Sequence, residues 1–365
     1  MRHRVTFTLE LCVVVVSSLT QAQPAQTFAE RVTALRAAAN LPAVGGVTFT
    51  SSSVGVITVT GVRKLGDVTA VTTGDLWHIG SISKSFTSTL IARLIDRGQL
   101  SLDAKLGDLL GPERAKKFSR VTLGNVMSHR AGLPANPVGP AYSSFLLSAD
   151  PLPGVRAKVV DVALAGEPLS EPGTAFLYSN IDYILLGSIL EMKAGKAWEE
   201  IVREEILTPL KLTSAGFGAP GVAGAVTQPR GHRGAPGAPL TPVDPPLADN
   251  PAVFGPAGTM HMSIADLARW GQEHLRGERG QDGVVKAATF KLLHTPPAGD
   301  YALGWVSQMK GDQRIIWHNG SNTLWYALVA FNATSDKGVV LVTNGSIAAQ
   351  PRLDALVMQY LTERP

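Results

Sequence analysis

Of the 365 residues only Cys12 is a cysteine. A lone thiol closes no disulfide within the chain and builds no zinc–thiolate site. If the segment that holds it is cleaved, no thiol remains, and any nucleophile must carry oxygen or nitrogen. Basic blocks are also missing: 33 Lys and Arg against 29 Asp and Glu leave a net charge of +4, spread singly or in pairs such as Lys116-Lys117. Without a dense run or a basic helix face there is no footprint for a phosphate backbone, so nucleic acid is excluded as a partner. The apolar stretch over residues 9–16 is too short for a membrane span, which needs about 20 apolar residues; no stable membrane insertion is expected. The eight histidines show no H-E-x-x-H or other ligand spacing, so no metal is expected and most histidines read as surface or structural. No G-x-S-x-G surrounds a serine, which disfavours an α/β-hydrolase. The G-x-G-x-x-G at 216–221 contains Pro220 and runs into a glycine-rich loop instead of a helix, so no dinucleotide cofactor is implied.

What is present begins with composition. Hydrophobic residues make up 45% of the chain and charged residues 17%, enough apolar material for a large core. At the N-terminus Arg2 and Arg4 precede Leu9, Leu11 and the run Val13-Val14-Val15-Val16, interrupted by Glu10. Thr20-Gln21-Ala22 then offers a cleavage site. This is the order of a secretory signal over residues 1–22, and it predicts a periplasmic or secreted protein.

Residues 28–39 read as an amphipathic helix. Two β-rich runs, 43–50 and 55–62, flank Ser51-Ser52-Ser53 and predict a hairpin. Ile82, Phe86, Leu90 and Leu94 recur every four residues, widened by Ile91 and Ile95, which predicts a strong helix ended by Gly98. The middle of the chain reads as helices between Gly/Pro turns, clearest over 181–192 and 198–206. Residues 216–258 are rich in Pro and Gly and read as surface loops. A helix resumes over 263–275. Short β-type runs over 301–309, 314–318, 323–331 and 339–343 predict an antiparallel meander, closed by a helix over 353–361. Strands at both ends around a helical middle predict an α+β fold. One sheet is then built from residues 23–75 and 295–365, with 76–294 inserted as a mostly helical domain.

The chemistry concentrates at Ser81-Ile82-Ser83-Lys84. A serine hydroxyl needs a base to become a nucleophile, and residues three apart share a helix face, so Lys84 can reach Ser81. A second Ser-x-x-Lys, Ser307 to Lys310, lies in a predicted strand whose alternation sends the two side chains to opposite faces. A capping serine followed by a surface lysine explains most such tetrapeptides, so other residues must support the pair. Tyr178-Ser179-Asn180 does: a tyrosine held partly ionised in a cationic site can serve as base, and the asparagine can position substrate. His318-Asn319-Gly320 ends the apolar strand Ile315-Ile316-Trp317, where a glycine lets substrate approach the backbone. Trp325-Tyr326 reads either as the wall of an acyl pocket or as core. The pairs Glu199-Glu200 and Glu204-Glu205 read as a solvated helix face.

In this order Ser81-x-x-Lys84, Tyr178-x-Asn180 and His318-x-Gly320 resemble the serine β-lactamases of the class C type, the D-Ala-D-Ala carboxypeptidases and the β-lactamase-like esterases. The likeness extends through WHIGSISKSFT at 77–87, VMSHRAGLP at 126–134, EPGTAFLYSNIDYILLG at 171–187 and GPAGTMHMSIADLARW at 255–270. It implies a β-lactamase/transpeptidase-like fold, no cofactor, and an acyl-enzyme on Ser81. Lys84 and Tyr178 would share the base role; Asn180, His318 and Gly320 would bind substrate; the backbone amides of Ser81 and Ser321 would hold the oxyanion. One departure matters. Class C enzymes carry Lys-Thr-Gly where this chain has His318-Asn319-Gly320, and a mostly neutral histidine holds a carboxylate less firmly than an ammonium. The resemblance therefore implies a serine hydrolase acting on small-molecule esters or peptides. A β-lactamase or D-alanyl carboxypeptidase is the alternative, and a non-catalytic penicillin-recognising or partner-binding protein a further one. A binding module has no need of Ser81, Lys84 and Tyr178 together.

Overall fold

The computed structural model describes residues 26–146, 148–235 and 238–363. The predicted signal segment, with Cys12, lies outside them. The chain opens with helix α1 (Phe28–Ala38), the hairpin strands β1 (Ala43–Phe49) and β2 (Thr58–Gly61), the short β3 (Leu76–His78) and helix α2 (Ser83–Asp96). A helical stretch follows: α3 (Leu106–Leu110), α4 (Pro112–Ala115), α5 (Leu123–Met127), α6 (Pro140–Leu146), α7 (Leu152–Ala165), α8 (Asn180–Ala194) and α9 (Trp198–Val202). Next come β4 (Gly216–Phe217), β5 (Gly231–Arg233), β6 (Thr241–Val243), α10 (Gly255–Gly258), β7 (Met260–Ser263), α11 (Ile264–Glu278) and α12 (Ala287–Leu293). The meander β8 (Val306–Lys310), β9 (Gln313–Gly320), β10 (Tyr326–Asn332) and β11 (Lys337–Thr343) leads into α13 (Gln350–Thr362).

Both ends of the chain build the main sheet, in the order β2-β1-β11-β10-β9-β8. Its neighbours run antiparallel, with Val47 opposite Val340 and Val329 opposite His318. Strand β10 is buried on both faces because each has its own cover. Leu328 and Ala330 pack with Val32, Leu353 and Val357 of α1 and α13, whereas Ala327, Val329 and Phe331 face the cluster that holds Phe86 and Trp270. That two-sided burial explains why this strand reads as a continuous apolar run instead of an alternation. The same parity puts Ile316, His318 and Gly320 of β9 on the helix-covered face.

Helix α11 packs on that face against β1, β10 and β11, and α2 meets it through an aromatic pair. The apolar stripe is confirmed at Phe86, which stacks on Trp270 at a ring distance of 4.0 Å. The polar side is buried as well, because its hydroxyls find acceptors. Ser85 donates to the Ile82 carbonyl and Thr89 to that of Ser85, while Thr87 reaches out to Pro256. Two predictions need correction. The 198–206 helix changes at Arg203 into a π-helical turn ending at Leu207. Segment 216–258 is not only loop. Strand β4 joins β3 and β7 in a small sheet, and β5 pairs with β6. Its irregular parts are held by buried cations and rings: Arg230 bonds Asp244 at 2.9 Å, and His232 takes the Leu65 amide and meets the Asn344 carbonyl.

Candidate active site

Gly80 (φ +50°) starts a single 3₁₀ turn, Gly80–Ile82, that carries Ser81 into α2. The expectation placed Ser81 on the helix itself. A 3₁₀ turn serves the pairing equally, because it eclipses residues three apart. Ser81 makes no capping bond, so the capping explanation fails. The turn is held by His78, whose Nδ1 accepts the Gly80 amide at 3.1 Å while its Nε2 meets Asp249 at 2.6 Å.

Lys84 is fully buried, and its Nζ makes three contacts: Ser81 Oγ at 3.1 Å, Asn180 Oδ1 at 2.6 Å and the Ala257 carbonyl at 2.8 Å. Burial holds its pKa well below the usual lysine value, and a charge on Asp182 would oppose this only in part. Two of the three partners, both carbonyl oxygens, can only accept. A neutral amine has two N–H bonds and one lone pair. The carbonyls use both N–H bonds, and the lone pair is left for the Ser81 hydroxyl. Close packing sets this up: a Cβ on Gly187 of α8 would lie 2.3 Å from the Pro256 ring, and this approach delivers the Ala257 carbonyl of α10 to Lys84.

Ser179 caps α8 by accepting the Asp182 amide, which frees Asn180 for Lys84 and, through Nδ2, for Asn136 at 2.7 Å. The Tyr178 ring lies 4.8 Å from Lys84 Nζ and 4.4 Å from the His129 ring. Over a third of this residue meets solvent, yet its hydroxyl is set inside the cluster. Desolvation pushes the phenol up and the Ser81 side chain opposes it only in part. The net direction is the reverse of the partly ionised tyrosine expected from the sequence, since the neighbouring lysine is itself starved of charge.

His318 is buried, its Nδ1 against the Asn319 carbonyl at 2.5 Å and its Nε2 3.2 Å from the Tyr301 hydroxyl. Both nitrogens are thus served in a neutral ring. Burial first, with any proton on Lys84 adding to it, pulls its pKa down to about 3 against the weaker pull of that carbonyl. The end of β9 meets the Ser81 turn backbone to backbone. A Cβ on Gly320 would stand 1.9 Å from the Ile79 carbonyl and 2.6 Å from the Ser81 nitrogen, and one on Gly80 would stand 2.4 Å from the Ser321 nitrogen. The Ser81 and Ser321 amides are therefore brought close together, and neither donates to a loop or turn carbonyl among the described residues.

A sequence model of the Beta-lactamase family matches residues 26–361. The chain belongs to this family. It is 27% identical to penicillin-binding protein 4 of Amycolatopsis lactamdurans over 335 residues, 87% of this chain and 85% of that one. Among solved structures it is similar to an octameric penicillin-binding protein homologue from Pyrococcus abyssi (TM-score 0.75, 22% identity, 92% of this chain and 76% of that one). It is likewise similar to a class C β-lactamase from Rhodobacter sphaeroides (TM-score 0.71, 21% identity, 92% and 99%). These likenesses bear out the α+β, β-lactamase/transpeptidase-like fold and set the chain in a family of serine hydrolases.

Within this family fold several other expectations resolve. Ser307 and Lys310 lie on β8, the serine buried against Arg314 and the lysine exposed. Trp325 and Tyr326 are core residues, the latter bonded to Asp354 and Asn319. Glu199 is not on a solvated face but pairs with buried Arg156, and Glu205 holds Arg93 and Arg97. None of the seven described histidines is exposed; each is kept inside by a hydrogen-bond partner. The sequence reading missed the Ala257 carbonyl and the pair His129–Asp182, whose Nδ1–Oδ2 distance is 2.8 Å. Being 53 residues apart, that pair leaves no periodic signal.

Proposed function

We propose that this chain is a serine hydrolase that cleaves ester or amide bonds of small, uncharged acyl substrates through an acyl-Ser81 intermediate. The observation that carries the reading is the donor count at Lys84, which directs its lone pair at Ser81. Ser81 Oγ attacks the carbonyl carbon while its proton passes to Lys84 Nζ. The developing oxyanion lies between the Ser81 and Ser321 amides. As the tetrahedral species collapses, the C–O or C–N bond breaks and the leaving group takes a proton from Lys84, with the Tyr178 phenol as relay. Water then attacks the acyl carbon, gives its proton back through the same groups, and frees Ser81. Lys84, held by Asn180, is thus the base, and Tyr178, packed on the face of His129, is a neutral proton carrier.

Substrate class follows from His318. A neutral imidazole at the end of β9 gives a substrate carboxylate no fixed cation, which supports esters and amides over β-lactams and D-Ala-D-Ala termini. The N-terminal pattern supports export to the periplasm or medium. The test is one panel on purified protein: p-nitrophenyl acetate and butyrate, a chromogenic cephalosporin and a D-Ala-D-Ala peptide, with Ser81→Ala as control. Ester turnover abolished by Ser81→Ala is the expected result. Cephalosporin turnover as fast as ester turnover would overturn the substrate assignment. No turnover and no labelling by a fluorescent penicillin or a fluorophosphonate would overturn the mechanism.

A further inference from the structure

Behind the nucleophile lies a second buried pair that the acylation steps leave idle. His129 and Asp182 are each at most 1% exposed, and Asp182 Oδ2 stands 2.8 Å from His129 Nδ1. The Ser179 amide points at the same Nδ1 from 3.2 Å. A ring nitrogen that accepts an N–H carries no hydrogen of its own. If Nδ1 were protonated to serve a carboxylate, the fully buried Ser179 amide would face N–H against N–H. Asp182 Oδ1 has no hydrogen-bond partner among the described residues, which an ionised carboxylate in this interior tolerates poorly. His129 Nε2 likewise has no partner, and the ring is boxed by Tyr178, Tyr183, Tyr301 and Phe176. His129 also adopts a left-handed backbone (φ +58°), a cost borne to aim this ring.

We infer that Asp182 is a carboxylic acid donating a hydrogen bond to His129 Nδ1, and that this neutral pair positions Tyr178 while withholding from Lys84 the anion that would make it an ammonium. Asp182 is a positioning residue, and its role rests on the reading of Lys84 as base. The groups that face it are Lys84 from α2, His129 from the turn after α5, Tyr183 beside it on α8 and Tyr301 before β8; Tyr178 and His318 on β9 face Lys84 and His129. Burial drives Asp182 up and His129 down, in the sense the hydrogen bonds require.

The experiment is imidazole ¹⁵N NMR on uniformly labelled protein, with His129 assigned by loss of its signals in His129→Gln. It is combined with kcat/KM against pH for the parent, Asp182→Asn and Asp182→Leu. The expected spectrum is a neutral ring protonated at Nε2, unchanged from pH 5 to 9. Asp182→Asn, whose amide can still donate to Nδ1, keeps the tautomer, an acid limb within 0.3 pH units (about a twofold shift) and kcat/KM within about fivefold. Asp182→Leu removes the donor and costs about 10- to 100-fold, mostly in kcat. An Nδ1-protonated or charged ring in the parent overturns the inference. So does an acid limb that falls by a pH unit or more in Asp182→Asn, since loss of an anion would then have released the Lys84 proton. The spectrum does not depend on turnover: a parent inert to every acyl probe but showing the Nε2-protonated ring sinks the hydrolase reading and leaves the neutral pair standing.

Discussion

Replacing Gly320 by alanine tests the contact on which the proposed oxyanion site depends. The new methyl carbon would sit 1.9 Å from the Ile79 carbonyl and 2.6 Å from the Ser81 nitrogen. Ordinary carbon contacts begin at 3.4 Å, so β9 and the Ser81 turn must part by roughly 1.5 Å. Both obstacles are backbone, and no side chain can swing away to absorb the shift. Overpacking of this kind costs about 1–3 kcal/mol of stability. The effect on catalysis is larger. Loss of one oxyanion donor costs about 10²–10³ in kcat, and a displacement beyond 1 Å is enough to misplace one. Gly320→Ala should therefore lower kcat on p-nitrophenyl butyrate by about 10²-fold or more, with KM changed far less, while the melting temperature drops only a few degrees. Active-site titration would count the folded nucleophiles, so that a reduced rate is not mistaken for a reduced population. A variant within twofold of the parent in kcat would falsify the assignment of the Ser81 and Ser321 amides to one oxyanion site.

Other consequences are as open to measurement. Tyr178→Phe should reduce kcat by about 10²–10⁴-fold if the phenol carries protons; a loss below threefold on both ester and amide substrates removes it from the mechanism. Arg156 is buried between α7, α8 and α9 and bonds Glu191 and Glu199. Arg156→Met leaves two carboxylates without their cation and should cost about 3–5 kcal/mol in urea unfolding. A loss below 1 kcal/mol refutes that role. The His318 pKa of about 3 lies below that of an unfolded histidine, about 6.5, so the unfolded chain binds a proton that the folded chain does not. His318 thus opposes folding increasingly as pH falls from 6.5 towards 3, by about 2 kcal/mol at pH 5. His318→Gln should flatten the fall in unfolding free energy between pH 7 and 5 by about that amount, and an unchanged slope contradicts the neutral ring.

The residues legible in the sequence are those whose partners are near in the chain or whose order is distinctive. Ser81 and Lys84 are three apart, so one turn joins them. Tyr178 and Asn180 flank a helix cap, and His318 and Gly320 end an apolar strand. The sheet was legible because its strands are short, β-rich and punctuated. What escaped depends on backbone atoms and on distance along the chain. The Ala257 carbonyl has no side-chain signature, and it reaches Lys84 only because Gly187 admits Pro256. Segment 216–258 reads as loop because its order comes from Arg230 and His232 bonding partners elsewhere, not from periodicity. Tyr178 was expected to lean towards phenolate because a lysine beside it suggests positive charge. The structure buries that lysine among carbonyls, and charge on a buried group is set by its surroundings, not its name.

The pairing of β1 with β11 sets an order of events during synthesis. Ser81, Lys84, Tyr178 and Asn180 all lie in the first half of the chain, whereas Gly320 and Ser321 follow roughly 140 residues later. At ribosomal speeds of about 5–20 residues per second, that gap lasts on the order of ten seconds. Throughout it β1 has no β11 to pair with, and the serine lacks the Ser321 amide of the proposed oxyanion site. On the proposed mechanism the growing chain therefore carries a serine that cannot yet act, and competence arrives only with the C-terminal strands.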